Sequence, residues 1–265
     1  MITFCTLFSG SSGNASLLLT DEGAVLVDCG MSGKQIFQAL ESVHVSPSAI
    51  KALLVTHEHS DHVKGAGVLS RKLDIPIYAT EGTWYGMEST LGSIPQNHRI
   101  GITPGESFFL PGMEVAPFSI PHDANEPVGY RFYLPGHSVA VATDMGYFSD
   151  TVRNALLGAE VVLLESNHDP DMLRQNPHYP ASLKTRILGR KGHLSNENGA
   201  AAAVQLGQNG TRHVLLGHLS PENNTPDMAY TTTHYALTRM GARVGRDVTL
   251  YVAGRLNPSY LYTIP

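Results

Sequence analysis

A chain of 265 residues with 42% hydrophobic content can bury a large core and lies near the upper size for one domain, so residues 1–265 are expected to form a single domain. A formal net charge of -5 argues against coating nucleic acid through a global basic field, though a local patch stays open. No apolar run approaches the roughly 18 residues of a membrane span, and the opening Met-Ile-Thr-Phe-Cys lacks the basic and apolar regions of a signal peptide, so a cytoplasmic location with no membrane partner is expected.

In chain order, residues 3–8 and 24–28 read as strands joined by a turn at Asp21-Glu22-Gly23, with a Ser-Gly-rich stretch at residues 9–14 between them. Ser32 is placed to cap a helix carrying Ile36, Phe37 and Leu40 on one face, and Ser46-Pro47 then breaks the chain before an apolar strand at residues 52–55. A helix is expected over 63–73, a strand over 75–79 and a short helix over 82–90. Strands follow at 107–110, 113–120, 128–134 and 138–142, separated by Pro-Gly turns such as Pro135-Gly136. The remainder alternates: helix 150–157, strand 160–165, helices 182–188 and 195–206, strand 213–216, helix 226–240 and strand 248–252. Both halves thus run from strand to helix. Helices cannot lie between two stacked sheets, so the expected class is α/β: two mixed β-sheets face to face with helices on both outer sides, a four-layer αβ/βα sandwich. Cys5 and Cys29 lie in or beside strand-like runs without a metal-type spacing partner and read as buried, reduced thiols.

The segment Thr-His-Glu-His-Ser-Asp-His at residues 56–62 follows the 52–55 strand and packs His57, His59, Asp61 and His62 into a loop. Side chains two apart in extended backbone share a face, so His57 and His59 can grip one ion while Asp61 and His62 reach past the bend toward a second. Further metal-capable residues each follow a predicted strand: His122 after 113–120, Asp144 after 138–142 and His218 after 213–216. The set divides chemically. His57, His59 and His122 would serve one ion, Asp61, His62 and His218 the other, and Asp144 would bridge both. Asp28, at the end of its strand, would orient a ligating imidazole.

These residues resemble the metallo-β-lactamase fold superfamily, whose signature is His-x-His-x-Asp-His followed by a lone His, a bridging Asp and a final His. The resemblance spans nearly the whole chain. Within the superfamily, Phe-Ser-Gly-Ser-Ser-Gly-Asn at 8–14, Leu-Leu-Glu-Ser-Asn-His-Asp at 163–169 and the paired Gly-His-Leu-Ser elements at 192–195 and 217–220 are similar to the YycJ (WalJ) group, regarded as DNA exonucleases. The stretch from His193 to His218 is also similar to the end of transfer-RNA 3'-processing ribonucleases, where the first histidine assists the leaving group and the second binds metal. The resemblance implies a dinuclear phosphodiesterase trimming DNA from the 5' end with a metal-bridging hydroxide, Asp61 doubling as metal ligand and nucleophile-orienting residue.

Two divalent ions activate water and clamp a phosphoryl oxygen, while a departing sugar oxygen also needs a proton, for which His193 is the candidate. Glu165 could tune His193 or the metal shell. Lys184, Arg186, Arg190 and Lys191 run into His193, and Arg190 and Lys191 are candidate phosphate contacts. Ser9, Ser11, Ser12 and Asn14 could add a glycine-shaped anion cradle, or the stretch is simply a tight turn. Histidines such as His168 and His178 read as structural. Imidazole-rich ligation suits zinc, and mixed ligation admits manganese or iron. Two other readings stay open: hydrolysis of a small thioester, lactone or lactam, and a non-catalytic metal-binding sensor. Oligomeric state is not legible.

Overall fold

The computed structural model describes residues 2–259 and 262–264. The chain divides into two compact units, one comprising Met1–Pro117, Ala124–Val128 and Ala253–Pro265, the other Phe118–Asp123 and Gly129–Val252.

The first unit opens with β1 (Ile2–Phe8), β2 (Ala15–Thr20) and β3 (Gly23–Val27), an antiparallel meander, and continues through α1 (Gly33–Ser42) and β4 (Ile50–Leu54). It then runs through α2 (Ser60–Val63), α3 (Ala66–Leu73), β5 (Ile77–Ala79), α4 (Glu81–Leu91) and β6 (Arg99–Gly101). Strands β3 to β6 are parallel neighbours, which is why helices must carry the chain back between them. Each helix has a legible start. Ser32 and Gln35 form a reciprocal capping box on α1, and Thr80 accepts from the Thr83 amide on α4. The apolar faces of α1 and α3, including Ile36, Leu40 and Leu69, join Leu7, Leu17, Leu26 and Leu53 from the strands in one core. A hairpin of β7 (Phe108–Leu110) and β8 (Met113–Ser119) follows.

The second unit carries β9 (Val128–Leu134), β10 (His137–Ala142), α5 (Asp150–Leu156), β11 (Val161–Glu165), α6 (Pro170–Gln175), α7 (Ala181–Leu188), α8 (Asn196–Gln208), β12 (His213–Gly217), α9 (Pro226–Arg239) and β13 (Thr249–Val252). β9 and β10 are antiparallel, whereas β10 to β13 run parallel in the order β10-β11-β12-β13. Their register aligns Val141 with Leu163, Leu163 with Leu215 and Leu215 with Tyr251, so the loops that follow β10, β11 and β12 leave from one end of this sheet. Ala140, Val162, Val214, Leu206 and Leu237 form its core with α8 and α9. In the first unit, β14 (Tyr262–Ile264) pairs antiparallel with β1, giving the order β14-β1-β2-β3-β4-β5-β6. Among the described residues no helix is long and apolar enough to cross a membrane.

Four expectations change. Residues 15–20, read as part of the connection between two strands, form β2, with Leu17 opposite Cys5 and Leu18 opposite Val25. The helix expected over 63–73 is two helices parted at Gly65, where a Cβ would collide with the Met31 carbonyl and the Cys29 sulfur. The strand expected over 75–79 is only Ile77–Ala79. α6 was not anticipated, although Asp169 caps it by accepting from the Asp171 and Met172 amides and Pro170 occupies its first turn. Cys5 and Cys29 are buried free thiols, as expected, and burial pushes the Cys5 thiol up to about 11.

Gly30 is where the first unit is tightest: a Cβ there would collide with the Asp61 carbonyl, while the Gly30 amide donates to the Asn14 carbonyl at 2.8 Å. Gly30→Ala is therefore expected to cost about 2–3 kcal/mol by overpacking, lowering the melting temperature by ~5–10 °C. Gly101→Ala, where a Cβ meets nothing within 4 Å, is the control and should shift stability by less than about 1 kcal/mol. Equal melting temperatures for the two variants would refute the close approach.

Candidate metal centre

In the first unit the motif histidines sit where β4 has ended and α2 begins, and buried Thr56 organises them. Its amide donates to Asp28 Oδ1 at 2.8 Å, and its hydroxyl lies 2.9 Å from Asp28 Oδ2, 3.1 Å from His57 Nδ1 and 3.2 Å from His62 Nδ1. His62 Nδ1 donates to Asp28 Oδ2 at 2.8 Å. Asp28 thus holds one imidazole by its Nδ1 and leaves Nε2 as the acceptor nitrogen, the arrangement of a histidine prepared for metal. That His62 Nε2 lies 3.5 Å from Asp61 Oδ2 and 3.1 Å from Asn14 Nδ2. His57 Nε2 and His59 Nδ1 stand 3.0 Å apart, close enough for both to face one cation.

The 9–14 loop is a turn closed by Asn14 and tied to the motif loop: the Gly13 amide donates to the Gly10 carbonyl, the Gly10 amide to Asn14 Oδ1 and the Asn14 amide to the Asp61 carbonyl. Asn14 is buried against Asp61 and His62, and Ser9 is buried too, while Ser11 and Ser12 are exposed. Asn14 is brought against metal-capable side chains within the unit, its Nδ2 lying 3.4 Å from Asp61 Oδ2 and 3.1 Å from His62 Nε2.

In the second unit the same logic recurs around Glu165, which is wholly buried at the end of β11. Its Oε1 accepts from His193 Nδ1 at 2.8 Å and His218 Nδ1 at 3.1 Å, and its Oε2 from the Met145 and Leu194 amides at 2.8 and 3.1 Å. Burial alone would raise this carboxyl, yet the His193 and His218 contacts outweigh it and hold Glu165 well below the usual carboxylate range. The two Gly-His-Leu-Ser elements therefore present their histidines to one shared carboxylate. His218 Nε2 lies 3.3 Å from Asp144 Oδ1, and His122 Nε2 lies 3.9 Å from the same oxygen. His122 Nδ1 donates to the Gly192 carbonyl at 3.2 Å, and burial, opposed by the Asp144 charge, lowers this imidazole below its ordinary value so that it is neutral at pH 7. His168 is buried, lowered to about 4 by burial, with its Nδ1 3.3 Å from Asn167 Oδ1, whereas His178 is exposed.

The donor chemistry fits divalent cations. His62, His122 and His218 each commit Nδ1 to a carboxylate or carbonyl and keep Nε2 near another metal-capable group, and Asp144, Glu165, His193 and His218 have ligand atoms within 4.8 Å of one another. Asp28, Asp144 and His218 also take left-handed backbone, at φ 64°, 60° and 57°, in the turns just beyond β3, β10 and β12. Reading the sequence for ligands passed over Thr56 and Asn167; Asn167 Nδ2 donates to the His218 carbonyl at 2.9 Å and lies 3.3 Å from His218 Nδ1. Their only signal was adjacency, Thr56 before the first histidine and Asn167 inside the 163–169 stretch.

Arg190 and Lys191 lie exposed between α7 and His193, with the Arg190 guanidinium 4.3 Å from the centre of the Tyr147 ring.

Known proteins resemble this chain in sequence and in fold. Residues 24–219 match the family described as the Beta-lactamase superfamily domain. The chain is 41% identical over 248 residues to Exodeoxyribonuclease YycJ of Bacillus anthracis, covering 94% of each, and 40% identical over 250 residues to Exodeoxyribonuclease WalJ of Streptococcus pneumoniae serotype 2, covering 94% of this chain and 93% of that protein. Among solved structures, the metallo-beta-lactamase fold protein YhfI from Bacillus subtilis superposes with a TM-score of 0.73 over 98% of both chains at 16% identity, which supports the α/β class expected from the sequence. The chain belongs to the metallo-β-lactamase superfamily and is one of its metal-dependent hydrolases.

Proposed function

We propose that this protein is a dinuclear-metal phosphodiesterase that removes nucleotides from DNA, working from the 5' end, with residues 1–265 acting as one hydrolase domain in the cytoplasm. The observation that carries the reading is the 41% identity, over 94% of both chains, to a protein named as an exodeoxyribonuclease. In this reading His57, His59 and His122 would hold one ion, Asp61, His62 and His218 would hold the other, and Asp144 would serve both. Zinc or manganese suits these donors, with iron a third option. Bound divalent ions polarise a phosphoryl oxygen and make a coordinated water acidic near neutral pH.

The chain's own residues supply the rest. Asp61 accepts a hydrogen bond from the attacking water and fixes its approach. His193 stands on Glu165 through Nδ1, which fixes the ring and leaves Nε2 to deliver a proton to the departing sugar oxygen. Glu165 therefore acts on both halves of the chemistry, setting His218 as a ligand and His193 as an acid.

Freshly purified protein should carry, or take up on titration, two divalent ions per chain. Asp144→Ala should lose one of them and nearly all turnover while its circular dichroism spectrum is kept. Full activity with both ions in that variant would remove Asp144 from the centre.

His193→Ala should keep both ions yet slow cleavage of an end-labelled oligonucleotide by roughly 10²–10⁴-fold, the usual worth of general acid catalysis. Bis(p-nitrophenyl) phosphate, whose leaving group needs no proton, should lose far less. Equal losses on both substrates would make His193 a metal-shell residue. Product ladders from strands labelled at either end test polarity, and a ladder growing from the 3' end would reverse it.

A further inference from the structure

Just ahead of His193 in the chain, the second unit has a cleft of about 490 Å³ lined by α7 residues Ser182 and Thr185, by Arg190 and Lys191 on the turn that follows, and by Asp123. We infer that this cleft is a nucleotide subsite, with a backbone phosphate on Arg190 and Lys191 and a base stacked on the Arg190–Tyr147 pair. The inference rests on the phosphodiesterase reading above and assigns it a substrate form, a single strand with its bases accessible.

Three observations converge. The first is charge: Lys184, Arg186, Arg190 and Lys191 fall within eight residues of a chain whose net charge is -5. Such clustering makes a local phosphate-attracting field where the protein as a whole repels one. Arg186 is committed to Asp123 by an ion pair, whereas Arg190 and Lys191 stand in the cleft wall with no carboxylate pair among the described residues.

The second is rigidity. The Gly189 amide donates to the Arg186 carbonyl, the Gly192 amide to Gly189 and the His193 amide to Ile187, so the turn is closed on itself. Gly146 lies so near the Arg190–Lys191 peptide that a Cβ on it would collide with the Arg190 carbonyl. The turn bearing the two cations is thus pressed against the loop that carries Asp144, and side-chain ordering is the main entropy left to lose on binding.

The third is the ring. Tyr147 is about a third exposed, at 37%, and Arg190 lies over it at 4.3 Å. α7, which leads into the turn that carries Arg190, buries none of its own residues. A flat cation on an aromatic ring beside further positive charge matches both parts of a nucleotide, the base through its π-face and the phosphate through its charge. An inorganic anion would use the cations and ignore the ring.

The test measures binding and cleavage separately on the metal-loaded protein. Fluorescence anisotropy reports affinity for a phosphorothioate-protected single-stranded oligothymidylate and for an abasic strand of equal length, alongside cleavage of the unprotected strand with Mn²⁺ or Zn²⁺. Tyr147→Ala should weaken binding of the base-bearing strand by about 5- to 100-fold, the range for one lost base stack, and change the abasic strand little; Tyr147→Phe should restore the difference. Arg190→Gln should weaken both strands and reduce the slope of log K against log salt by about 0.7, one contact on a single strand. Equal weakening of both strands by Tyr147→Ala, or no weakening, overturns the subsite. If DNA is cleaved while Tyr147→Ala binds both strands like the parent, the subsite falls and the nuclease reading stands. If the base-dependent pattern appears and no strand is cleaved with either metal, the nuclease reading falls and the nucleotide site stands.

Discussion

An imidazole can hold a cation only if its other nitrogen is satisfied, and when the ring is buried that partner must come from the protein. This constraint governs both units. Asp28 meets it for His62, Glu165 for His218 and the Gly192 carbonyl for His122. Each partner is placed by a different element of the fold. Asp28 directly follows β3, Glu165 ends β11, and Gly192 lies in a closed turn after α7. The parallel sheets are the means of delivery, because strands running the same way put their final residues at a common edge, and a residue one step beyond that edge can turn sideways toward its neighbour.

A buried carboxylate is costly unless fully hydrogen-bonded, so Glu165 also constrains what surrounds it. Two backbone amides and two imidazoles satisfy it, drawn from the Asp144 loop, the His193 turn and the His218 turn. Removing either histidine would leave the buried carboxylate partly unmet. Buried Asn167, Asn196 and Asn224 extend the same logic: the Asn167 side-chain amide donates to the His218 carbonyl, that of Asn196 to Asn224 Oδ1 and that of Asn224 to the Asn167 carbonyl.

The metal-capable residues were legible because their chemistry is rare and local: four in one loop, and three more each just past a strand pattern. Glu165 was only half legible, since a carboxylate at a strand end looks the same in sequence whether it faces solvent or two histidines. Its burial depends on β11 being flanked by β10 and β12, which no local pattern states. β2 was missed because the Ser-Gly stretch before it reads as loop and the Leu17–Leu19 run was absorbed into it, whereas pairing with β1 and β3 is what makes it a strand. The break at Gly65 depends on the chain passing Cys29 and Met31, a contact more than thirty residues away in sequence. The contact between Tyr147 and Arg190 had no sequence signal, because the two are brought together by the close packing of Gly146 on the Arg190–Lys191 peptide.

The left-handed backbone at Asp28, Asp144 and His218 sets selection for a sturdy fold against selection for a working one. Glycine would suit these three dihedrals without steric penalty, and a side chain there costs on the order of 1 kcal/mol or more. At Asp28 and His218 that gain is opposed by the loss of hydrogen bonds to Thr56, His62 and Glu165, so directed evolution for heat resistance alone would drift toward glycine at Asp144 rather than at the other two. Screens that seek hardier forms of this protein therefore need to score turnover at every round.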